Sequence, residues 1–195
     1  MPEGTVAPMR LALAALLTLL PAAAHASIGE VWRRVQWGES DAALAREFGK
    51  RATVLDRPIE YGDAETRVVL RDVTLGGHDF AVYFQMDKAG RGLRRIHFER
   101  PRHGAVLGVF RDVVAALEAE LGAPTRACEI PRQAPTGYQA QSVRVWVRDA
   151  GTVRAVFRDT TLSAGEGCLA ENRSGTSPCG LTGQIFVQIS RENGC

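Results

Sequence analysis

Two sets of strand-like segments constrain the fold of this chain most. In each segment apolar and polar residues alternate, so that a strand has one apolar and one polar face. The segments are residues 66–75, 79–87 and 93–100 in the first half and residues 142–149, 152–159 and 184–190 in the second. Because short connections favour antiparallel neighbours, the pattern predicts antiparallel sheet with helices on the apolar side.

A helical pattern precedes each set of strands. In the first pattern, Ser40 is a natural N-cap, and Gly49 suits the left-handed position that ends a helix. The second pattern stops before Gly122. Its apolar stripe consists of Phe110, Val113, Val114, Leu117 and Leu121. The chain is therefore predicted to be an α+β protein built from two helix-plus-three-strand repeats, with its helices on one face of antiparallel sheet.

Alternation also assigns the faces of the strands. In the first half the apolar face consists of Phe80, Val82, Phe84, Met86, Ile96 and Phe98. The opposite face consists of Tyr83, Gln85, Arg95, His97 and Glu99. In the second half we expect Val143, Val145 and Val147 to point inward together with Ala155 and Phe157. Cross-strand partners share a face, so this arrangement requires an odd-length turn at residues 150–152.

With these faces, the hairpin of residues 142–159 presents basic and aromatic residues to solvent. They are Arg144, Trp146, Arg148, Arg154 and Arg158. Like charges on paired strands repel unless an anion lies between them, and Trp ringed by Arg is a composition that protein interfaces favour. The hairpin is our candidate binding surface, for a protein or an anionic envelope component. The alternative is neutralisation within the chain by Asp149, Asp159, Glu166 or Glu171.

Residues 1–26 have the features of a secretory signal peptide. An apolar run from Leu11 to Leu20 is too short to cross a bilayer, and Ala24-His25-Ala26 is a small-x-small cleavage pattern. We therefore expect a periplasmic or secreted domain of residues 27–195 without a transmembrane segment. Its halves would be about 27–100 and 101–195. The net charge of +2 gives no global attraction to nucleic acid.

Four cysteines in an exported chain predict two disulfide bonds. All four lie in the second half, at Cys128, Cys168, Cys179 and Cys195, and their spacings match no zinc or redox motif. Of the three connectivities, we favour Cys168 with Cys179 and Cys128 with Cys195. The first bond would close a turn-rich loop.

Catalysis is weakly indicated, because the chain contains no recognised nucleophile, phosphate-binding or dinucleotide-binding motif. His97 and Glu99 are two apart on one strand, and His103 follows in a turn. These three residues are the only candidate for a metal-dependent or hydrolytic site, and two-residue spacing arises easily by chance. We therefore expect a non-enzymatic protein without a cofactor or metal.

The pattern WGES…LAREFG followed by FAVYFQMDKAGRGLRRIHF resembles two families of envelope proteins. As a tandem arrangement it resembles the β-lactamase inhibitory protein family, and each copy resembles the small outer-membrane assembly lipoproteins. The lipoproteins carry a lipidation cysteine that is missing after residue 26 here. The resemblance implies a binding or inhibitory protein of the cell envelope. Our second hypothesis is accordingly an inhibitor that inserts loop 168–179 into the cleft of a secreted hydrolase.

Overall fold

A computed structural model describes residues 27–101, 106–129, 138–160 and 184–192. The helices in these ranges are α1 (Ile28–Arg33), α2 (Asp41–Phe48) and α3 (Leu107–Leu121), and a short 3-10 helix (Gly49–Arg51) follows α2. The first four strands are β1 (Ala52–Tyr61), β2 (Ala64–Leu75), β3 (His78–Asp87) and β4 (Leu93–Glu99). The last four are β5 (Arg126–Glu129), β6 (Tyr138–Arg148), β7 (Gly151–Thr160) and β8 (Gln184–Ser190).

All eight strands form one antiparallel sheet, in the order β1-β2-β3-β4-β8-β7-β6-β5. The strands of the first half follow one another from one edge to the centre, and those of the second half do the same from the other edge. The two halves meet where β4 pairs with β8. The chain is therefore an α+β protein dominated by a single sheet.

The helices pack on one face of this sheet, here called the core face. Phe48 of α2 stacks on Phe84 of β3 with ring centroids 5.3 Å apart. The rings of Phe110 in α3 and Phe157 in β7 are in contact, with centroids 5.5 Å apart. Buried residues of α1, including Ile28, belong to the same hydrophobic cluster. Burial of large side chains of this kind contributes roughly 1.5–3 kcal/mol each, and it holds the helices against the sheet.

The predicted ends of the two longer helices are confirmed. Ser40 caps α2, since its hydroxyl accepts a hydrogen bond from the backbone N–H of Ala43. Gly49 and Gly122 follow α2 and α3 with positive φ angles, 52° and 76°. These angles are readily available to glycine, which has no Cβ to collide with the backbone.

The strand count per half is wrong in the sequence-based prediction, because the described part of each half contains four strands and not three. The missed strands, β1 and β5, are the two edges of the sheet. Pro58 and a register shift between Val54 and Ile59 interrupt the alternation in β1, and β5 has only four residues. The six-residue helix α1 was also missed. Short or irregular edge elements carry too little periodicity to be recognised.

No helix within the described ranges is both long and apolar enough to cross a bilayer. The predicted signal peptide, residues 1–26, lies outside those ranges.

Candidate functional site

The hairpin formed by β6 and β7 has a different turn from the one predicted. Arg148 pairs with Gly151, so the loop consists of two residues, Asp149 and Ala150. In this register Trp146 pairs with Val153, a core residue. Every side chain of residues 142–148 is therefore on the face opposite to the predicted one. Val143 and Val145 are buried in a second hydrophobic cluster on the other side of the sheet, and Trp146 joins the main core.

Trp146 is a structural residue, not part of an exposed binding surface. Its exposed fraction is 0%, and its indole Nε1 donates a hydrogen bond of 2.7 Å to the carbonyl oxygen of Gly122. The guanidinium of Arg148 donates to the carbonyl oxygen of Leu121. The last carbonyls of a helix lack partners within the helix, and its C-terminal end carries partial negative charge. Trp146 and Arg148 therefore hold the end of α3.

Arg144 also lies on the β6 side that faces the helices, opposite Ala155. Its guanidinium donates to the Ser142 hydroxyl at 2.8 Å. The prediction that Arg144, Trp146 and Arg148 form one solvent-facing surface is therefore wrong. Arg154 and Arg158 do lie opposite the core, as predicted, because Ala155 and Phe157 point inward.

The two correctly placed arginines share a surface with the polar residues of the first half. We call this surface the polar face. It consists of Tyr83, Gln85, Arg95, His97, Glu99, Arg154, Arg158, Phe186, Gln188 and Ser190. The pairings of β3, β4, β8 and β7 place Tyr83, His97, Gln188 and Arg154 in one row across four strands. Gln188 was missed, although polar residues at 184, 188 and 190 in β8 were a usable signal.

An aromatic group lies in the middle of the polar face. The ring of His97 is 4.9 Å from that of Phe186 and 6.4 Å from that of Tyr83. The guanidinium carbon of Arg158 lies 5.2 Å from the centroid of Phe186, within cation–π range. Phe186 also belongs to a second hydrophobic cluster with Val143, Val145 and Val156. The polar face thus combines cations with partly exposed aromatic residues and with a buried apolar cluster.

Two nearby carboxylates are already engaged by arginines. Arg95 donates to Asp63 at 2.6 Å and to the Gln85 side chain at 2.8 Å, and the hydrogen bond from Arg95 lowers the pKa of Asp63. Glu192 accepts a hydrogen bond of 2.8 Å from Arg94. The hydrogen bonds of these two carboxylates therefore go to Arg95 and Arg94, and Glu192 acts on Arg154 only through its charge.

Arg154 has a different environment. Burial lowers the pKa of its guanidinium, and the positive charges of Arg95 and Arg158 lower that pKa further against the opposing effect of Glu192. Its Nε is buried and has no hydrogen-bond acceptor within the described residues. A half-buried cation between like charges is destabilised by desolvation and repulsion, and both penalties fall when an anion approaches.

Two tyrosines beside Glu99 are shielded from ionisation. Burial, followed by the charge of Glu99, raises the pKa of Tyr83 and raises the pKa of Tyr61 to about 12. The raised pKa means that the folded state disfavours the Tyr61 phenolate. This contribution to stability is complete below pH 10, the ordinary pKa, and is lost as the pH rises through about 12.

We expect near-ultraviolet absorbance titration of the folded protein to show a phenolate that forms only near pH 12. Tyr61→Phe should remove this late step, whereas Tyr83→Phe should leave it in place. A wild-type protein whose phenolates all form near pH 10 would contradict the shielding of Tyr61.

The candidate metal site is only partly within the described chain. Nε2 of His97 lies 3.7 Å from a carboxylate oxygen of Glu99, and His103 lies outside the described residues. Among the residues that can be described, no group of three or more His, Cys, Asp or Glu side chains is placed to hold a metal ion.

Cys128, in the edge strand β5, is disulfide-bonded. The other cysteines, Cys168, Cys179 and Cys195, lie outside the described residues, so the predicted pairing stays a prediction. Loop 168–179 and the predicted neutralising residues Glu166 and Glu171 also lie outside the described residues, so their predicted roles stay predictions. Asp159, a further predicted neutralising residue, lies in β7, but the structure does not describe its side chain.

Comparison with known proteins found no matching family model, no matching curated protein and no matching solved structure. The resemblance to envelope inhibitor and lipoprotein families therefore stays a prediction.

Proposed function

We propose that this chain is an exported, non-enzymatic binding protein that uses the polar face to contact an acidic surface of another protein. The observation that carries the proposal is the environment of Arg154. Its guanidinium is half-buried and close to the positive charges of Arg95 and Arg158, and its Nε has no hydrogen-bond partner among the described residues. An acidic partner would supply the missing negative charge.

The composition of the polar face supports a protein partner. Tyr83 and His97, which are partly exposed, provide aromatic contact area beside three arginines, and the buried ring of Phe186 supports His97 and Arg158. Tyrosine, phenylalanine and arginine are enriched at protein interfaces, where aromatic rings bury large areas at low entropic cost. The bonded cysteine in β5 supports export, since such bonds persist mainly in oxidising compartments.

A charge-matched pair of double variants tests the proposal. Arg154→Gln/Arg158→Gln removes two positive charges from the polar face, and Arg46→Gln/Arg111→Gln removes two exposed charges from α2 and α3, on the other side of the sheet. The mature protein is used to capture partners from a cell-envelope extract, and the captured protein is then purified and its Kd is measured.

We expect the polar-face variant to bind about tenfold or more weakly, because charge-assisted hydrogen bonds contribute roughly 1.5–3 kcal/mol each. The helix-side variant should bind like the wild type, and added salt should weaken binding to the wild type. Equal weakening by both variants, or none by either, would reject the polar face as the contact surface.

We further propose that the chain is one domain, residues 27–195, made of two structural repeats. The order of the strands supports this, since β1-β2-β3-β4 and β5-β6-β7-β8 run from opposite edges to the shared centre. A helix precedes each set, α2 in the first half and α3 in the second.

A further inference from the structure

Two buried hydrogen-bonding groups without partners occupy neighbouring positions on the polar face. One is Nε of Arg154, and the other is the hydroxyl of Ser190, a residue only 1% exposed. Neither group has a hydrogen-bond partner among the residues that the structure describes. Buried polar groups in native proteins are nearly always paired, so two adjacent exceptions require an explanation.

The register of the sheet places these groups together. Arg154 pairs with Gln188, and Ser190 lies two residues further along β8 on the same face. Diagonal neighbours of this kind are within reach of long side chains. Ser190 also pairs with Arg95 on its other side, across β4. The register therefore brings the backbone positions of Arg95, Ser190 and Arg154 together where β4, β8 and β7 adjoin. The guanidinium of Arg95 is bonded to Gln85 and Asp63, so Arg154 and Ser190 are the two residues with unpartnered groups at this point.

We infer that this point is a carboxylate-binding site for an Asp or Glu side chain, or a C-terminal carboxylate, of the partner protein. The inference rests on the proposed function and identifies the chemical group of the partner that binds Arg154. The guanidinium donates through Nε and its terminal nitrogens, and the Ser190 hydroxyl donates a further hydrogen bond. Guanidinium and carboxylate groups are planar, and they match in a two-point geometry.

The surroundings favour a carboxylate over the phosphates of a polymer. Proteins that bind phosphate chains carry a track of cations that follows the chain and faces water. Here Arg95 is already bonded to Asp63, and Arg158 lies over the ring of Phe186. A single guanidinium whose Nε has no acceptor, next to aromatic rings, fits a single planar anion at the centre of a protein interface.

Sodium acetate is the probe for the site, with inorganic phosphate as the comparison and sodium chloride at equal ionic strength as the blank. The side-chain Nε–H signal of Arg154 is followed by NMR in isotope-labelled mature protein. We expect acetate to shift this signal in a saturable manner and to raise the Tm, because a ligand that binds only the folded state stabilises it.

Two variants test the geometry. Arg154→Lys keeps the positive charge but removes the planar guanidinium with its two-point donor geometry. It should weaken acetate binding, measured from the rise in Tm, by about tenfold. The control Arg111→Lys on α3 should leave acetate binding unchanged. Ser190→Ala should weaken binding by about threefold and leave the Tm without acetate unchanged or higher, since the variant removes an unpaired buried hydroxyl. A fall in that Tm would show that Ser190 already has a structural partner, and would overturn its role.

The remaining outcomes also decide the question. No saturable shift with acetate, or saturation with phosphate alone, would overturn the carboxylate site. The proposed function has a separate test in partner capture. If capture depends on the polar face but acetate does not bind, only the carboxylate site fails. If acetate binds but capture is indifferent to Arg154 and Arg158, the proposed contact surface fails.

Discussion

Replacing Trp146 by alanine is expected to lower the free energy of unfolding by about 3–5 kcal/mol, the usual cost of truncating a large buried aromatic residue. The indole is completely enclosed in the core and bonded to the carbonyl oxygen of Gly122. Truncation removes the contact area, leaves a cavity and deprives the end of α3 of a hydrogen-bond donor. Chemical denaturation of the purified mature protein measures the change.

Trp146→Phe separates packing from hydrogen bonding. Phenylalanine retains much of the apolar volume but has no N–H group, so a smaller loss of about 1–3 kcal/mol is expected. Arg33→Ala, an exposed residue of α1, serves as the control and should change stability by about 0.5 kcal/mol or less. A Trp146→Ala protein as stable as the wild type would mean that the side chain lies outside the core, as the alternation of β6 first suggested.

Turn length explains why sequence analysis assigned the faces of β3 and β4 correctly and those of β6 incorrectly. In β3 and β4 large apolar residues such as Phe84 and Phe98 alternate with polar or charged ones, so only one face suits the main core. In β6 the choice was between three valines and a row of Arg, Trp and Arg. Valine looks like the core residue when polarity alone is considered.

The β6–β7 loop decides this choice, because a one-residue change in its length moves every partner to the other face. The loop has only two residues because Gly151 already pairs with Arg148 as the first residue of β7. A Cβ atom there would lie 2.9 Å from the carbonyl oxygen of Ser190 and 3.3 Å from Trp37. Trp37 also donates a hydrogen bond of 2.7 Å to Ala150 in the turn. The residues in these contacts are far apart in the sequence, so the local alternation of apolar and polar residues does not predict them.

The polar face was partly predictable from the sequence. Tyr83, His97 and Glu99 were assigned to it from alternation alone, since their strands carry strong apolar partners. What the sequence could not supply is that β4 lies beside β8, which brings Arg95 to Ser190 and, diagonally, toward Arg154. Neighbours in a sheet that are far apart in the chain are fixed by tertiary packing. The candidate site therefore emerges only from the strand order.

The second large effect is expected at the turn between β2 and β3. Gly76 and Gly77 both have positive φ angles, 60° and 76°, as a two-residue hairpin turn of this type requires. Alanine at either position is strained by roughly 1–2 kcal/mol. At Gly76 a Cβ atom would also lie 2.6 Å from the backbone carbonyl of Asp112 in α3, a distance that real contacts do not reach.

Gly76→Ala must therefore push the turn away from α3, and we expect a total loss of about 2–5 kcal/mol when the strain and the steric overlap are combined. Gly77→Ala is the matched control, because a Cβ atom there meets nothing within 4 Å and the variant should show only the strain of the backbone. Denaturant unfolding of the two variants measures the difference. Equal losses would mean that α3 does not rest on this turn. A larger loss for Gly76→Ala would show that helix and hairpin are in backbone contact, so that α3 and the first four strands form one packed unit.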